Sequence, residues 1–400
     1  MFLEGGGDIA KRLTATEMLE LRKGLAEGEK LVKGQTLVDM ALSRGCTAVL
    51  PVLLQDAGPE AVKRLPSHFA PEEAQALRTA LAGDIVRDET SKIHHLRSFR
   101  TTTLPDIAEF SDEARETILN ELLDRNVEKE LASPENPVIN WWKSEIPGSS
   151  ELYTVFNGGT GDCLLHSVSF SAWGVQDKDL ILRFALAETM RDAKETFFPR
   201  FQHAVAQWAS ADGYSMSDEA LEREWEEMTT IAGTRGKSLE QIHVFVLAHI
   251  FRRPIVVFSI QDIEGFSGGT VGKVRHQGIY LPLVWPSEFC CQSPLFLSYS
   301  RGHYTALVAM EKQGSMVRVP VTERSGEVLP VHFVLPTDVD VVDRIATIQD
   351  TSGHLLAVQS QAMSGEGDAQ ASPFAATYLA ALRSRFPKAA TTPSADGIVQ

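Results

Sequence analysis

Apolar side chains recur every three to four positions through residues 111–131 (SDEARETILNELLDRNVEKEL), behind a serine cap and a run of acids, which predicts one helix over this stretch. The same spacing marks residues 8–33, where Met18, Leu19, Leu21 and Leu25 carry the apolar pattern, and residues 179–209, which the acidic stretch 217–233 continues as a surface arm. A further helix starts at Ser238-Leu239-Glu240, runs to Phe251 and is stopped by Arg252-Arg253-Pro254. Beyond that point the period changes. Short apolar runs at 255–258, 278–283, 295–299 and 304–310 predict buried strands, the last two joined as a hairpin across Gly302. More strands are expected at 316–321 and 329–335, then a helix at 373–386 and a loose tail over 387–400. Helices followed by strands in one chain indicate an α+β protein.

Near the start, 36–41 (TLVDMA) and 48–58 (AVLPVLLQDAG), connected through Gly45, form one helix-turn-helix unit of ankyrin type. A single unit cannot bury its own apolar face, so it must pack on neighbouring helices. With Thr101-Thr102-Thr103-Leu104-Pro105 marking a boundary nearby, the expected organisation is a small all-α, ankyrin-like segment over 1–95, a larger domain over 96–386 and a tail over 387–400.

Composition adds exclusions. The net charge of −15 argues against a nucleic-acid surface, which would want a basic patch, and is compatible with a partner that has a basic face. No window reaches eighteen apolar residues and the first residues lack an apolar core, so neither a membrane span nor a signal peptide is expected. The four cysteines, Cys46, Cys163, Cys290 and Cys291, contain no CxxC spacing, which argues against a disulfide framework and against a zinc site. His94-His95 lacks partner ligands at suitable spacing. No metal or cofactor is expected, and a reducing compartment, cytoplasm or nucleus, fits the cysteine usage.

One cysteine stands in a different setting. In Gly158-Gly159-Thr160-Gly161-Asp162-Cys163-Leu164-Leu165-His166 the glycines free the backbone to turn sharply, and the apolar run from Leu164 to Trp173 reads as the first turns of a buried helix. Cys163 at a helix N-terminus is expected to have a lowered thiol pKa and free N–H groups that can hold an oxyanion. His303 follows 140 residues later, at the mouth of the final strand. A nucleophile on a helix and a histidine on the opposing sheet is the arrangement of a cysteine peptidase. On these residues alone the pair fits either a thiol hydrolase or a small buried core cysteine with an unrelated histidine.

Four blocks in order, GDCLLHSVSFSAWGVQDKD, SLEQIHVFVLAHIFRRPIVVF, GIYLPLVWP and SPLFLSYSRGHYTALVAME, resemble the ovarian-tumour (OTU) family of deubiquitinating cysteine peptidases. The resemblance runs from residue 34 to 386. It implies a papain-like core, a central mixed sheet flanked by helices with a helical arm. It also likens residues 1–95 to the ankyrin-type ubiquitin-binding segment that precedes the core in one subgroup. By the same resemblance Cys163 is the nucleophile and His303 the general base, later the acid that protonates the leaving amine. Many family members place the orienting acid or amide two residues after the histidine, where this chain has Thr305. The subgroup draws an aspartate from a helix ahead of the cysteine, a pattern that Leu123-Asp124-Arg125-Asn126 matches and that implies Asp124. The loop at Gly161 and Asp162 is likened to the family's oxyanion hole, through its backbone. His166, three residues past Cys163, is a candidate supporting residue, with packing or capping as its other reading. Trp173, Tyr280 and Trp285 are assigned to the core, and His243, His249 and the Cys290-Cys291 pair to structure. The implied partners are ubiquitin, polyubiquitin chains and ubiquitinated proteins, with no nucleic acid and no membrane, and atypical lysine linkages are expected ahead of linear chains. The competing reading is a non-catalytic ubiquitin-binding module or scaffold.

Overall fold

The computed structural model describes residues 36–43, 63–158, 161–211, 213, 215–260, 276–310, 316–338, 341–359 and 375–387. Helix α1 (Leu37–Ser43) occupies the first half of the ankyrin-type unit. The expected helix over 8–33, the second half of that unit over 48–58 and the tail from 388 lie outside the described residues. Next come α2 (Pro66–Phe69), α3 (Pro71–Asp84) and an antiparallel hairpin of β1 (Ile85–Arg87) and β2 (His94–Leu96). Ala70, Ala74, Leu81, Ile93 and Leu96 from this region bury themselves in the same core as Leu164 and Val168.

The stretch expected as one helix over 111–131 is two, α4 (Asp112–Leu122) and α5 (Arg125–Leu131). Leu122, Leu123 and Val127 keep a helical apolar pattern across the break, but tertiary pairing overrides it. Leu123 forms an antiparallel bridge to Val155, and the Asp124 N–H donates to the Thr154 carbonyl at 2.9 Å. After α6 (Trp142–Glu145) comes β3 (Leu152–Val155), a strand that its four residues were too few to announce. Helix α7 (Cys163–Trp173) is buried along nearly its whole length and ends on Gly174 in the left-handed conformation. The helical region expected at 179–209 is divided at Ala193 into α8 (Ile181–Asp192) and α9 (Lys194–Ala211), and α10 (Asp218–Gly233) follows.

Helix α11 (Gln241–Phe251) is buried on every side, as its uniformly apolar sequence requires. Strands β4 (Ile255–Ser259), β5 (Gly278–Tyr280), β6 (Leu295–Ser300) and β7 (His303–Ala309) then join β3 in a five-stranded sheet of order β3-β7-β6-β4-β5. The β4–β6 pair is parallel and the other pairs are antiparallel, so the central sheet is mixed. Helix α7 packs on β6 and β7. A second sheet of order β8-β10-β9 is built from β8 (Val317–Pro320), β9 (Thr347–Gln349) and β10 (Leu355–Gln359), and α12 (Ala375–Arg385) closes the described chain. The strand expected at 329–335 does not form: Val331 makes a single bridge to Ile279 within a loop. The result is the α+β architecture expected, helices around a mixed central sheet.

Candidate active site

Two local structures bring the cysteine against the strand that carries the histidine. In the first, Gly161 has φ +76° and Asp162 ends the turn with φ −101°, ψ 4°, after which the first helical amide bond, His166 N–H to Asp162 C=O at 3.1 Å, opens α7. In the second, Arg301 and Gly302 both have positive φ, 49° and 80°, which gives the two-residue hairpin a twist that matches its strands and pairs Ser300 with His303. The Tyr304 N–H, one residue into β7, donates to Cys163 Sγ at 3.4 Å. That contact seats the histidine-bearing strand on the helix start that carries the thiol.

The seat is reinforced from a third element. Ser167 Oγ donates to the Cys163 carbonyl at 2.7 Å and lies 3.0 Å from the Tyr304 carbonyl. Asn157 Nδ2, just past β3, donates to the Tyr304 carbonyl at 2.8 Å and to Ser167 Oγ at 3.0 Å. All three residues are buried, so this network locks β3, α7 and β7 together beneath the sulfur.

Asp124 caps α5, its Oδ1 accepting from the Asn126 and Val127 N–H groups at 3.2 Å each. Its backbone is fixed to β3 in both directions, since Thr154 Oγ1 also donates to the Asp124 carbonyl at 3.0 Å. Lys63 Nζ donates to the Asn120 and Leu123 carbonyls and pins the break between α4 and α5. The far end of α5 holds the hairpin turn: Ser300 Oγ donates to Glu130 at 2.5 Å, and Arg301 pairs with the same carboxylate at 2.9 Å. One short helix thus carries Asp124 and clamps the turn before His303.

Burial holds the His303 ring below the ordinary histidine value, while the negative charge of Asp124 pulls it back up. The ring is therefore neutral at pH 7, the form able to accept a proton. For Cys163 the expectation of a lowered thiol pKa is corrected. The thiol is pushed up, because it is 3% exposed and loses more to desolvation than the N–H groups of Tyr304, Leu164 and Cys163 return. At neutral pH the proton sits on sulfur.

His166 follows Cys163 by three residues on α7. Burial pushes its pKa down to about 4, and the charges that act on it are Asp162, Lys178, Arg183 and Arg78. Its Nδ1 is buried without a partner among the described residues. Thr305, two residues past His303, is fully buried and shares a 2.7 Å hydrogen bond with Ser298 Oγ across the hairpin. Trp173, Tyr280 and Trp285 are core residues, and His243 and His249 are buried with backbone partners at 2.9 and 2.8 Å. Cys290 and Cys291 are free thiols. Among the described residues no group of three or more His, Cys, Asp and Glu side chains could hold a metal ion, and no helix is long and apolar enough to cross a membrane.

Asn157, Ser167, Lys63, Glu130 and Arg183 also support this arrangement. Only Arg183 carries a signal in the sequence: it shares the face of Leu186, Ala187 and Met190 at helical spacing, and a charge on a buried face must find partners.

Residues 158–304, from the glycine turn to the strand behind the histidine, match the family of OTU-like cysteine proteases. Over 355 residues the chain is 36% identical to the protein named ubiquitin thioesterase trabid in Drosophila melanogaster, an alignment that takes in 84% of this chain and 45% of that protein. The chain thus spans less than half the length of this relative.

Proposed function

We propose that the protein is a thiol-dependent ubiquitin hydrolase that cleaves the bond between the C-terminal glycine of ubiquitin and a lysine of a substrate or of another ubiquitin. The observation that supports this reading is the 3.4 Å contact from the Tyr304 N–H, one residue after His303, to Cys163 Sγ, with the Asp124 charge acting on the His303 imidazole. In the first step His303 takes the thiol proton as sulfur attacks the glycine carbonyl, forming the C–S bond. The oxyanion is held by backbone N–H groups at the start of α7, which have no intrahelical partners, together with the Gly161–Asp162 turn. The C–N bond then breaks and His303 delivers its proton to the departing lysine amine. Water, deprotonated by the same ring, attacks the thioester; the C–S bond breaks and the thiol is restored. Asp124 stabilises the imidazolium that exists between these transfers.

The relative is a ubiquitin thioesterase by name, which supports ubiquitin as the substrate. The arm built from α8 to α10 is the surface for the ubiquitin body, and the segment over 1–95 the site for a second ubiquitin. Lysine linkages of atypical kind are expected to be cut faster than linear chains. A panel of the eight diubiquitin linkages incubated with the full chain tests this: at least one isopeptide linkage is cleaved at a rate at least tenfold above the linear dimer. Linear diubiquitin cut fastest would overturn the preference and leave the hydrolase reading in place. The second reading, a ubiquitin-binding module without turnover, is favoured by one observation, the burial of Cys163.

A further inference from the structure

We propose that Arg183 is the positioning residue that holds the nucleophile in register with the helical arm, an inference that rests on the hydrolase reading above. Arg183 lies on α8, 20 positions after Cys163, and is 3% exposed. Its Nε donates to Asp162 Oδ1 at 2.8 Å and its Nη2 lies 2.7 Å from the same oxygen. Nη2 also donates to the Gly161 carbonyl at 3.0 Å and to the Lys237 carbonyl at 2.9 Å. Nη1 takes the carbonyls of Ile231 and Ala232, at 2.9 and 3.2 Å. Those two carbonyls belong to the last turn of α10, where a cation is favoured, and the Ile231 carbonyl also accepts from the Thr234 N–H at 3.1 Å.

A single guanidinium therefore grips three things: the two residues before Cys163, the end of α10, and the connection from α10 to α11. The grip explains why Asp162, at the N-cap position of α7, makes no side-chain cap there: its carboxylate is committed to Arg183 and to the Gly236 N–H at 3.3 Å. It also explains the backbone contact beneath it. Gly161 and Gly236 both have left-handed φ, +76° and +73°, and they face each other so closely that a Cβ on Gly161 would stand 2.1 Å from the Gly236 carbonyl oxygen. The nucleophile turn has no freedom to shift against the arm while this contact is held. Lysine in place of arginine keeps the charge but loses the planar fork that reaches three separate segments at once.

The test is Arg183→Lys in the full chain, with Asp162→Asn as the second variant because it removes the charge while keeping shape. Three quantities are read on protein whose circular dichroism shows it folded: steady-state hydrolysis of a fluorogenic ubiquitin C-terminal amide, ubiquitin affinity in the Cys163→Ala background, and the rate of Cys163 alkylation by iodoacetamide. Positioning predicts that kcat falls at least tenfold for Arg183→Lys while KM and ubiquitin affinity stay within twofold. It also predicts that alkylation of Cys163 accelerates at least threefold as the turn loosens around the buried thiol. Either variant retaining wild-type kcat and wild-type alkylation would overturn the proposal. If the wild-type chain did not hydrolyse ubiquitin at all, the hydrolase reading would fail, whereas the alkylation rates would still decide whether Arg183 holds the turn.

Discussion

Replacing Cys163 with alanine is expected to reduce hydrolysis of ubiquitin conjugates by about 10⁴-fold or more in kcat, with ubiquitin affinity retained. No other group in the site can form the acyl link, and the side chain contributes nothing to the arm that would hold ubiquitin. His303→Ala is expected to fall nearly as far. The thiol pKa is pushed up by burial, so without the neutral imidazole to accept its proton the sulfur stays protonated at pH 7. Asp124→Asn separates electrostatics from structure. Asparagine caps a helix about as well as aspartate, so α5 and its clamp on the hairpin turn should persist. The charge that raises the His303 pKa against its burial is lost, and kcat is expected to drop by roughly 10- to 100-fold. Steady-state kinetics of the three variants, with melting temperatures alongside, checks the set. Wild-type turnover in Asp124→Asn would remove Asp124 from the proposed triad and leave Cys163 and His303 untouched.

The second large effect is expected at a residue with no side chain. In Gly161→Ala the new Cβ would meet the Gly236 carbonyl oxygen at 2.1 Å and its carbon at 2.3 Å, and both are backbone atoms. One of the two turns must retreat by roughly an ångström, and a displacement of that size at a reacting group costs about 10²-fold in rate. The left-handed φ of +76° adds strain, and stability should fall by about 1–3 kcal/mol. Gly326→Ala is the comparison: φ there is +90° but nothing lies within 4 Å of the added carbon, so it carries the backbone strain without the collision. Activity near wild type in Gly326→Ala and a hundredfold loss in Gly161→Ala, with denaturation midpoints measured for both, would assign the effect to the nucleophile turn. Equal activity in the two variants would show that the turn can yield without consequence.

How much of this was legible in the chain depends on whether the cause was local. The glycines before Cys163, the apolar run that becomes α7, and the Arg301-Gly302 turn before His303 are local instructions, and the structure follows them. The break between α4 and α5 was hidden because the apolar spacing continues through Leu122, Leu123 and Val127. What divides the helix is the pairing of Leu123 and Asp124 with β3, about 30 residues away. That division matters, since it turns Asp124 from a mid-helix acid into a cap fixed to the sheet. The thiol pKa departs from the direction a helix start implies for a related reason: a helix start is visible in sequence, whereas the closing of β7 over the sulfur is not. Arg183 shows the limit most sharply, because its partners lie between 21 and 54 positions away and are mostly backbone carbonyls, which no side-chain motif announces.

The central claim is that Cys163 is a nucleophile directed at the C-terminus of ubiquitin. It is tested most directly by incubating the full chain with ubiquitin whose C-terminal glycine carries a thiol-reactive electrophile, followed by mass spectrometry of the tryptic peptides. The account predicts a single adduct, on Cys163, formed within minutes at pH 7 and absent in His303→Ala over the same interval. A folded chain that binds this ubiquitin and forms no adduct on Cys163 would contradict it, and the protein would then be a ubiquitin-binding module.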